Sequence, residues 1–259
     1  MSNLDSISLP RLSTYKSTFG SSTEIEALKF YYWNQAVSAE LYVLLHNLEI
    51  CFRNRIHEVL SLEASLQASK NFAWYDQFDF SIPGNTSNGK PRLSKTGEAI
   101  DKVKTDLQKK GKQLTPQNII CNLELGKWTY ILKTRNFKNG SAIDWKKLFP
   151  LIFRNYSNFS TKKGLSSLFS RLEEVRLLRN RIAHLEPVWK FGSKTVNGTT
   201  VNAPTNTAQV IARLNKEITW TTHVLEWICK DSYNHYIGTN SYRRLRILVS
   251  DPGVIYFSI

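Results

Sequence analysis

The sequence predicts an all-α fold, on three observations. Apolar residues recur at steps of three and four along its clearest segments, and capping and stop residues bracket those segments. The best hairpin signal, a turn pair flanked by β-branched residues, is confined to one short stretch, Lys194 to Val201. Residues 24–66 read as helix with at most one break. There Val37, Leu41, Leu44, Leu48, Cys51/Phe52 and Val59 keep near-helical spacing, behind a capping box of Ser22-Thr23 and Glu26. Phe80 to Pro91, with Pro83-Gly84-Asn85 and Asn88-Gly89, has loop chemistry and marks the best internal boundary. Helix is expected from Leu93 to about Lys110, a turn at Gly111, and a restart with Pro116 just inside a Thr115 cap, leading into a Trp/Tyr-rich segment that ends near Thr134. More helix is expected from Asp144.

Residues 160–186 carry the clearest pattern. Leu165, Leu168, Leu172, Val175, Arg179 and Ile182 alternate steps of three and four, so Arg179 falls where an apolar residue is expected. A polar stripe of Glu173, Arg176, Asn180 and His184 runs beside it, and Pro187 ends the helix. Asn197-Gly198 then signals a small hairpin or exposed loop, and a further helix is expected over Asn206–Cys229. The tail with Arg243, Arg244 and Arg246 gives no firm signal. One compact unit is expected, in three blocks: 11–80, 90–163 and 164–259.

Composition narrows the class. At 259 residues and 41% hydrophobic the chain can bury a sizeable core, and no apolar run approaches a bilayer-spanning length, so a soluble protein without a membrane partner is expected. Met1 to Thr14 lacks the apolar stretch of a secretory signal, which makes the cytoplasm the default location. Cys51, Cys121 and Cys229 lie far apart and read as small buried apolar residues. The net charge of +14 is unevenly spread: residues 1–89 hold 6 basic and 9 acidic side chains, residues 90–163 hold 17 and 5, and residues 164–259 hold 12 and 7. Such a basic middle suits a polyanion, with phosphate backbone the commonest one, and the candidate contacts are Lys109, Lys110, Lys112, Lys127, Lys133, Arg135, Lys146 and Lys147. Trp128, Tyr130, Phe137, Trp145 and Tyr156 are interleaved with these cations, which favours nucleic acid over a merely solvated helix face.

The candidate chemistry sits in Arg179-Asn180-Arg181-Ile182-Ala183-His184. Metal-free RNA cleavage needs one group to take the proton of the 2′-hydroxyl, another to protonate the leaving 5′-oxygen, and a cation on the phosphorane. A His and an Arg supply part of that set, and a homodimer would bring two of each to a shared cleft. On an ideal helix Arg179 and His184 stand about 140° apart, so they would converge near a frayed helix end or across a dimer. A second polar stripe, His46, Glu49, Arg53 and His57, could orient the site through Glu49, or be a structural ion-pair face. The corresponding structural role for the motif is a His that closes the helix and an Arg paired to Glu173 or Glu49. Arg53-Asn-Arg-Ile-His57 echoes the motif with His one place earlier. No Gly-rich phosphate loop, Gly-x-Ser-x-Gly elbow or His-Glu-x-x-His motif occurs, so neither cofactor nor metal is expected.

These residues resemble a known family. Arg179-Asn-Arg-Ile-Ala-His184-Leu-Glu-Pro187 is similar to the Arg-x4-His signature of HEPN-domain proteins, in particular the Abi-like proteins of abortive-infection phage defence. Tyr32-Trp33-Asn34, Leu48-Glu49 through His57, Thr115-Pro116 and Gly126-Lys-Trp128 extend the resemblance over roughly residues 11–230. It implies a HEPN-like helical bundle, usually dimeric, and an RNA-cleaving toxin with Arg179 and His184 as nuclease residues, Asn180 assisting and Glu49 and Arg53 supporting. It also implies control of some members by a small structured non-coding RNA. Two departures stand out: Leu185 occupies a place where a second His is frequent, and the loop from Phe191 to Thr207 is longer than usual. A non-cleaving RNA-binding protein is the alternative, and a helical scaffold for a protein partner the third reading.

Overall fold

The computed structural model describes residues 7–196 and 199–256 and is mostly helical. Helix α1 (Leu9–Phe19) is followed by the long α2 (Glu24–Ala64), a hairpin of β1 (Ser81–Asn85) and β2 (Pro91–Leu93), and then α3 (Lys95–Lys109). Next come α4 (Pro116–Cys121), α5 (Leu125–Ile131), α6 (Trp145–Ile152) and α7 (Lys162–Ala183). A second hairpin, β3 (Lys194–Val196) with β4 (Thr199–Val201), precedes α8 (Thr207–Ile228), α9 (Lys230–Ile237), α10 (Asn240–Leu248) and α11 (Asp251–Tyr256). The expected all-α class holds, and the expected insertion near residues 191–207 is the antiparallel pair β3–β4. Its turn, Asn197-Gly198, lies outside the described residues.

Local signals set most boundaries. Glu26 Oε2 accepts from the Ser22 N–H at 2.7 Å while the Thr23 hydroxyl accepts from the Glu26 N–H at 3.2 Å, which is the reciprocal capping box that opens α2. Thr115 caps α4 ahead of Pro116, with its hydroxyl accepting from the Asn118 N–H at 3.3 Å. Phe80 to Pro91 departs from the expected loop: Ser81 and Ile82 pair with Leu93 and Arg92, and the register slips before Asn85. Strand alternation is missing there because β1 is exposed along its whole length, and Pro83 and Gly84 interrupt it. Tertiary support supplies what pattern lacks. The Ser94 N–H donates to the Phe80 carbonyl at 2.8 Å, and a Cβ on Gly97 would stand 2.7 Å from that of Phe80, so α3 presses directly on the hairpin.

Two compact units emerge from the contacts. One comprises Met1–Asn47, Leu177–Glu226 and Asp231–Ile259; the other comprises Leu48–Arg176 and Trp227–Lys230. Helices α2 and α7 and the end of α8 contribute to both. In the first unit an aromatic cluster forms the core: Tyr15 meets Trp189 edge-on at 5.2 Å, and Phe19 meets Trp189 at 4.9 Å and Trp33 at 5.8 Å. The Trp33 indole N–H donates to the Leu248 carbonyl at 2.8 Å, and the Asn215 amide donates to Val249 at 3.0 Å, which ties the C-terminal helices to α2 and α8. Arg244 and Ser241 of α10 both donate to Glu40 of α2.

The second unit is built around Trp74, which packs against Phe78 at 5.1 Å and Trp128 at 6.2 Å. His57 belongs to this core and not to an open polar stripe. The Trp74 indole donates to its Nδ1 at 3.1 Å, which leaves Nε2 to carry the proton and donate to Asn71 Oδ1, also at 3.1 Å. The interleaved aromatics are also core in the main: Trp128 is fully buried and Phe137, Trp145 and Tyr156 are half-buried, while Tyr130 alone of the five is exposed. The cysteines differ from expectation, since Cys121 is exposed and Cys51 and Cys229 are half-buried. No helix among the described residues is long and apolar enough to cross a membrane.

Burial pushes the His57 imidazole below its ordinary value of 6.5, with the Asn71 hydrogen bond opposing. As pH falls through 6.5 the unfolded chain takes up this proton first, so stability declines from there down to the depressed folded value. Urea-unfolding midpoints measured from about pH 7 to about pH 5 should therefore fall less steeply in His57→Gln than in the wild type. Equal slopes would show that His57 takes no part.

Candidate functional site

Helix α7 starts at a Thr161 hydroxyl that accepts from the Gly164 N–H at 2.9 Å. Leu168, Leu172, Val175 and Leu178 form its buried face. Arg179 continues the line of the first three but is only half-buried, as are Asn180 and Ile182, so the buried face closes on Leu178 just before the motif. Glu173 is chelated by Arg176, whose Nε donates at 2.8 Å.

The end of α7 is a Schellman turn. The Glu186 N–H reaches the Arg181 carbonyl at 2.8 Å and the Leu185 N–H reaches Ile182 at 3.1 Å, which satisfies carbonyls that the helix end would otherwise orphan. His184 is the cap residue, outside the regular helix, with its N–H on the Asn180 carbonyl at 2.9 Å and its side chain exposed. Leu185 takes the left-handed position with φ of 56°, where glycine is usual, and is 74% exposed.

The residues that follow are anchored. The buried Asn34 side chain of α2 accepts from the Val188 N–H at 2.9 Å, and Val188 and Trp189 are almost fully buried. Arg181 turns away from the motif's open side, donates to the Pro187 carbonyl at 3.2 Å and stacks on Phe191 at 5.7 Å. Burial lowers its pKa from the usual guanidinium value, with Glu186 opposing. Beside the turn, α2 and the end of α7 enclose a cleft of about 480 Å³ lined by Tyr31, Ser38, Tyr42, Ile182, Leu185 and Glu186 among others. Tyr42 and Leu185 in this lining are 58% and 74% exposed, which leaves apolar surface beside the turn that carries His184.

The other expected residues are distributed as follows. Arg179, Asn180 and His184 stand together in the first unit, whereas Glu49 and Arg53 fall in the second unit's part of α2. Both are half-buried, and the Arg53 Nε is enclosed with no hydrogen-bond partner among the described residues. Of the basic candidates, Lys109, Lys110, Lys112, Lys133, Arg135, Lys146 and Lys147 are exposed and Lys127 is half-buried. Lys147 already pairs with Glu63 at 2.6 Å. Sequence reading passed over Phe191, Arg213 and Glu217. Arg213 and Glu217 form a buried ion pair at 2.9 Å, and Arg213 also stacks on Phe191 at 5.0 Å. Their one sequence signal is the Arg-to-Glu step of four within α8, which many exposed helices share. Among the described residues no cluster of His, Cys, Asp and Glu is arranged to hold a metal ion.

Comparison with known proteins gives one match. The family model described as Abi-like protein matches residues 2–190. No curated protein and no solved structure matches the chain.

A left-handed leucine costs about 1 kcal/mol that glycine would not. Leu185→Gly should accordingly leave folding intact and raise stability by about 1 kcal/mol, read as a higher denaturant midpoint, while Leu185→Val should lower it. A glycine variant less stable than the wild type would mean that apolar contacts of Leu185 outweigh its strain.

Proposed function

The chain belongs to the Abi-like protein family, which supports a part in abortive infection, and from that premise we propose that it is an endoribonuclease of the HEPN type. The observation that carries the reading is the placement of Arg179, Asn180 and His184: a capped, anchored helix end presents an exposed His184 one turn beyond Asn180, next to an arginine that interrupts an apolar line. In-line attack of a ribose 2′-oxygen on the adjacent phosphorus expels the 5′-oxygen and leaves a 2′,3′-cyclic phosphate. His184 serves as acid or base for one of the two proton transfers. Arg179 holds the negative charge that grows on the phosphorane oxygens, and Asn180 orients the phosphate. Glu49 and Arg53 are assigned a supporting role on α2.

One imidazole cannot supply both proton transfers at once, and a two-fold dimer answers this by bringing a second His184 to the same cleft. The exposed apolar side chains of Tyr42, Leu177 and Leu185 fit burial against a second copy of this chain. The exposed cations of the second unit support control by a bound structured RNA, and equally the alternative of RNA binding without cleavage.

Purified protein with excess chelator should cleave single-stranded RNA and leave 2′,3′-cyclic phosphate ends. His184→Ala and Arg179→Ala should each lower the rate by about 10²-fold to 10⁴-fold. Cleavage that survives both substitutions would refute the assignment. Absence of cleavage with tight, steeply salt-dependent RNA binding would favour the binding-only reading.

A further inference from the structure

The second unit contains a cleft of about 570 Å³ whose walls come from three separated segments: the base of the first hairpin at Asp79–Pro83, the start of α3 at Ser94–Thr96, and Tyr130 with residues 133–136 after α5. Hydrogen bonds to main-chain carbonyls hold these walls in place. The Asp79 N–H donates to the Asn136 carbonyl at 2.9 Å, Ser94 donates to Phe80 at 2.8 Å, and the Trp145 indole donates to the Thr134 carbonyl at 2.6 Å. The cleft is therefore built by the fold, and its size suits one small polar molecule or one unit of a polymer.

Its chemistry is uneven in an informative way. Lys95, Lys133 and Arg135 stand exposed at the cleft, and none of the three enters an ion pair among the described residues. Of the neighbouring acids, Glu173, which feels Lys133, is chelated by Arg176, while Asp79 lines the cleft as a carboxylate that accepts from the Ser81 N–H at 2.9 Å and feels Lys138. Beside these cations stands Tyr130, 39% exposed, with the Lys133 ammonium 5.5 Å from its ring centroid. Trp128, Phe149 and Phe153, aromatic neighbours in the same unit, are all buried. Three cations against one lining carboxylate, Asp79, ask for phosphate, and the exposed Tyr130 ring beside them asks for a flat π-face.

We propose that this cleft holds one nucleotide of a single-stranded RNA, with the base stacked on Tyr130 and the flanking phosphates on Lys95, Lys133 and Arg135. A base within a duplex offers no free face to a side chain, so the site selects unpaired strand. The proposal rests on the reading of this chain as RNA-directed and deepens it: the site guides an unpaired segment of the RNA and takes no part in bond cleavage.

The test uses the full chain carrying His184→Ala, so that binding is measured without turnover. Anisotropy is followed on labelled single strands and on a blunt duplex, each of about 12 nucleotides per strand. Tyr130→Ala should weaken single-strand binding about tenfold and leave duplex binding unchanged, while Tyr130→Trp keeps it. The pair Lys95→Glu with Arg135→Glu should weaken binding and flatten its salt dependence by about 0.7 per lost phosphate contact. Lys16→Gln, at the lysine paired with Glu24 in the first unit, should change affinity less than twofold. Equal binding by Tyr130→Ala and its parent, or duplex bound as tightly as single strand, would overturn the proposal. Cleavage by the wild type together with Tyr130-independent binding defeats this inference and leaves the nuclease reading standing. Tyr130-dependent binding by a protein that never cleaves does the reverse.

Discussion

The hydrogen bond from the Val188 N–H to the buried Asn34 side chain is the contact on which the candidate active site depends. A buried amide left unpaired would cost about 1–3 kcal/mol, so this bond and the burial of Trp189 beside it fix where the chain must go after α7. That destination forces the helix to stop and reverse within a few residues. Leu185 accepts a left-handed backbone to make the turn, and His184 becomes the residue at the rim. The exposure of His184 is thus a consequence of packing several residues downstream.

The same downstream segment is secured by charge. Phe191 receives the guanidinium of Arg181 at 5.7 Å and that of Arg213 at 5.0 Å, and Arg213 is held in turn by Glu217. Two ions with side chains 7% exposed give up most of their hydration, a cost that their mutual attraction offsets only in good geometry. Removing one partner would leave the other buried and uncompensated. Such a pair therefore specifies one arrangement of the strap between α7 and the β3–β4 hairpin more than it stabilises the fold.

In the second unit, the structure sorts the charge excess of residues 90–163 into paired and unpaired cations. Glu58 takes both Arg55 and Lys70, Glu63 takes Lys147, and Glu173 takes Arg176, so several acids are spent on local pairs. Lys95, Lys133 and Arg135 are left around one cleft with Tyr130. Net charge draws a polyanion toward the protein, but the placement of acids decides where on its surface the attraction is strongest.

The helices were legible in the sequence because their signals are local. The capping box at Thr23 and Glu26, the Thr115-Pro116 start of α4, and the apolar lines through Val37 to Leu48 and Leu168 to Val175 each depend on residues within a turn or two of one another. The Arg179 to His184 motif was legible for the same reason. What sequence left open was decided by contacts between distant residues. The first hairpin exists because Gly97 lets α3 press on Phe80, although its strands lack alternation. His57 echoes the Arg179 to His184 motif in sequence, yet Trp74 and Asn71 claim both of its ring nitrogens. The basic stretch showed charge and aromatic rings together, and only burial separated Tyr130 from the aromatics that are core. Periodicity reports which face of a helix is apolar; what covers that face, and which polar group is left open, is settled only when the chain meets itself.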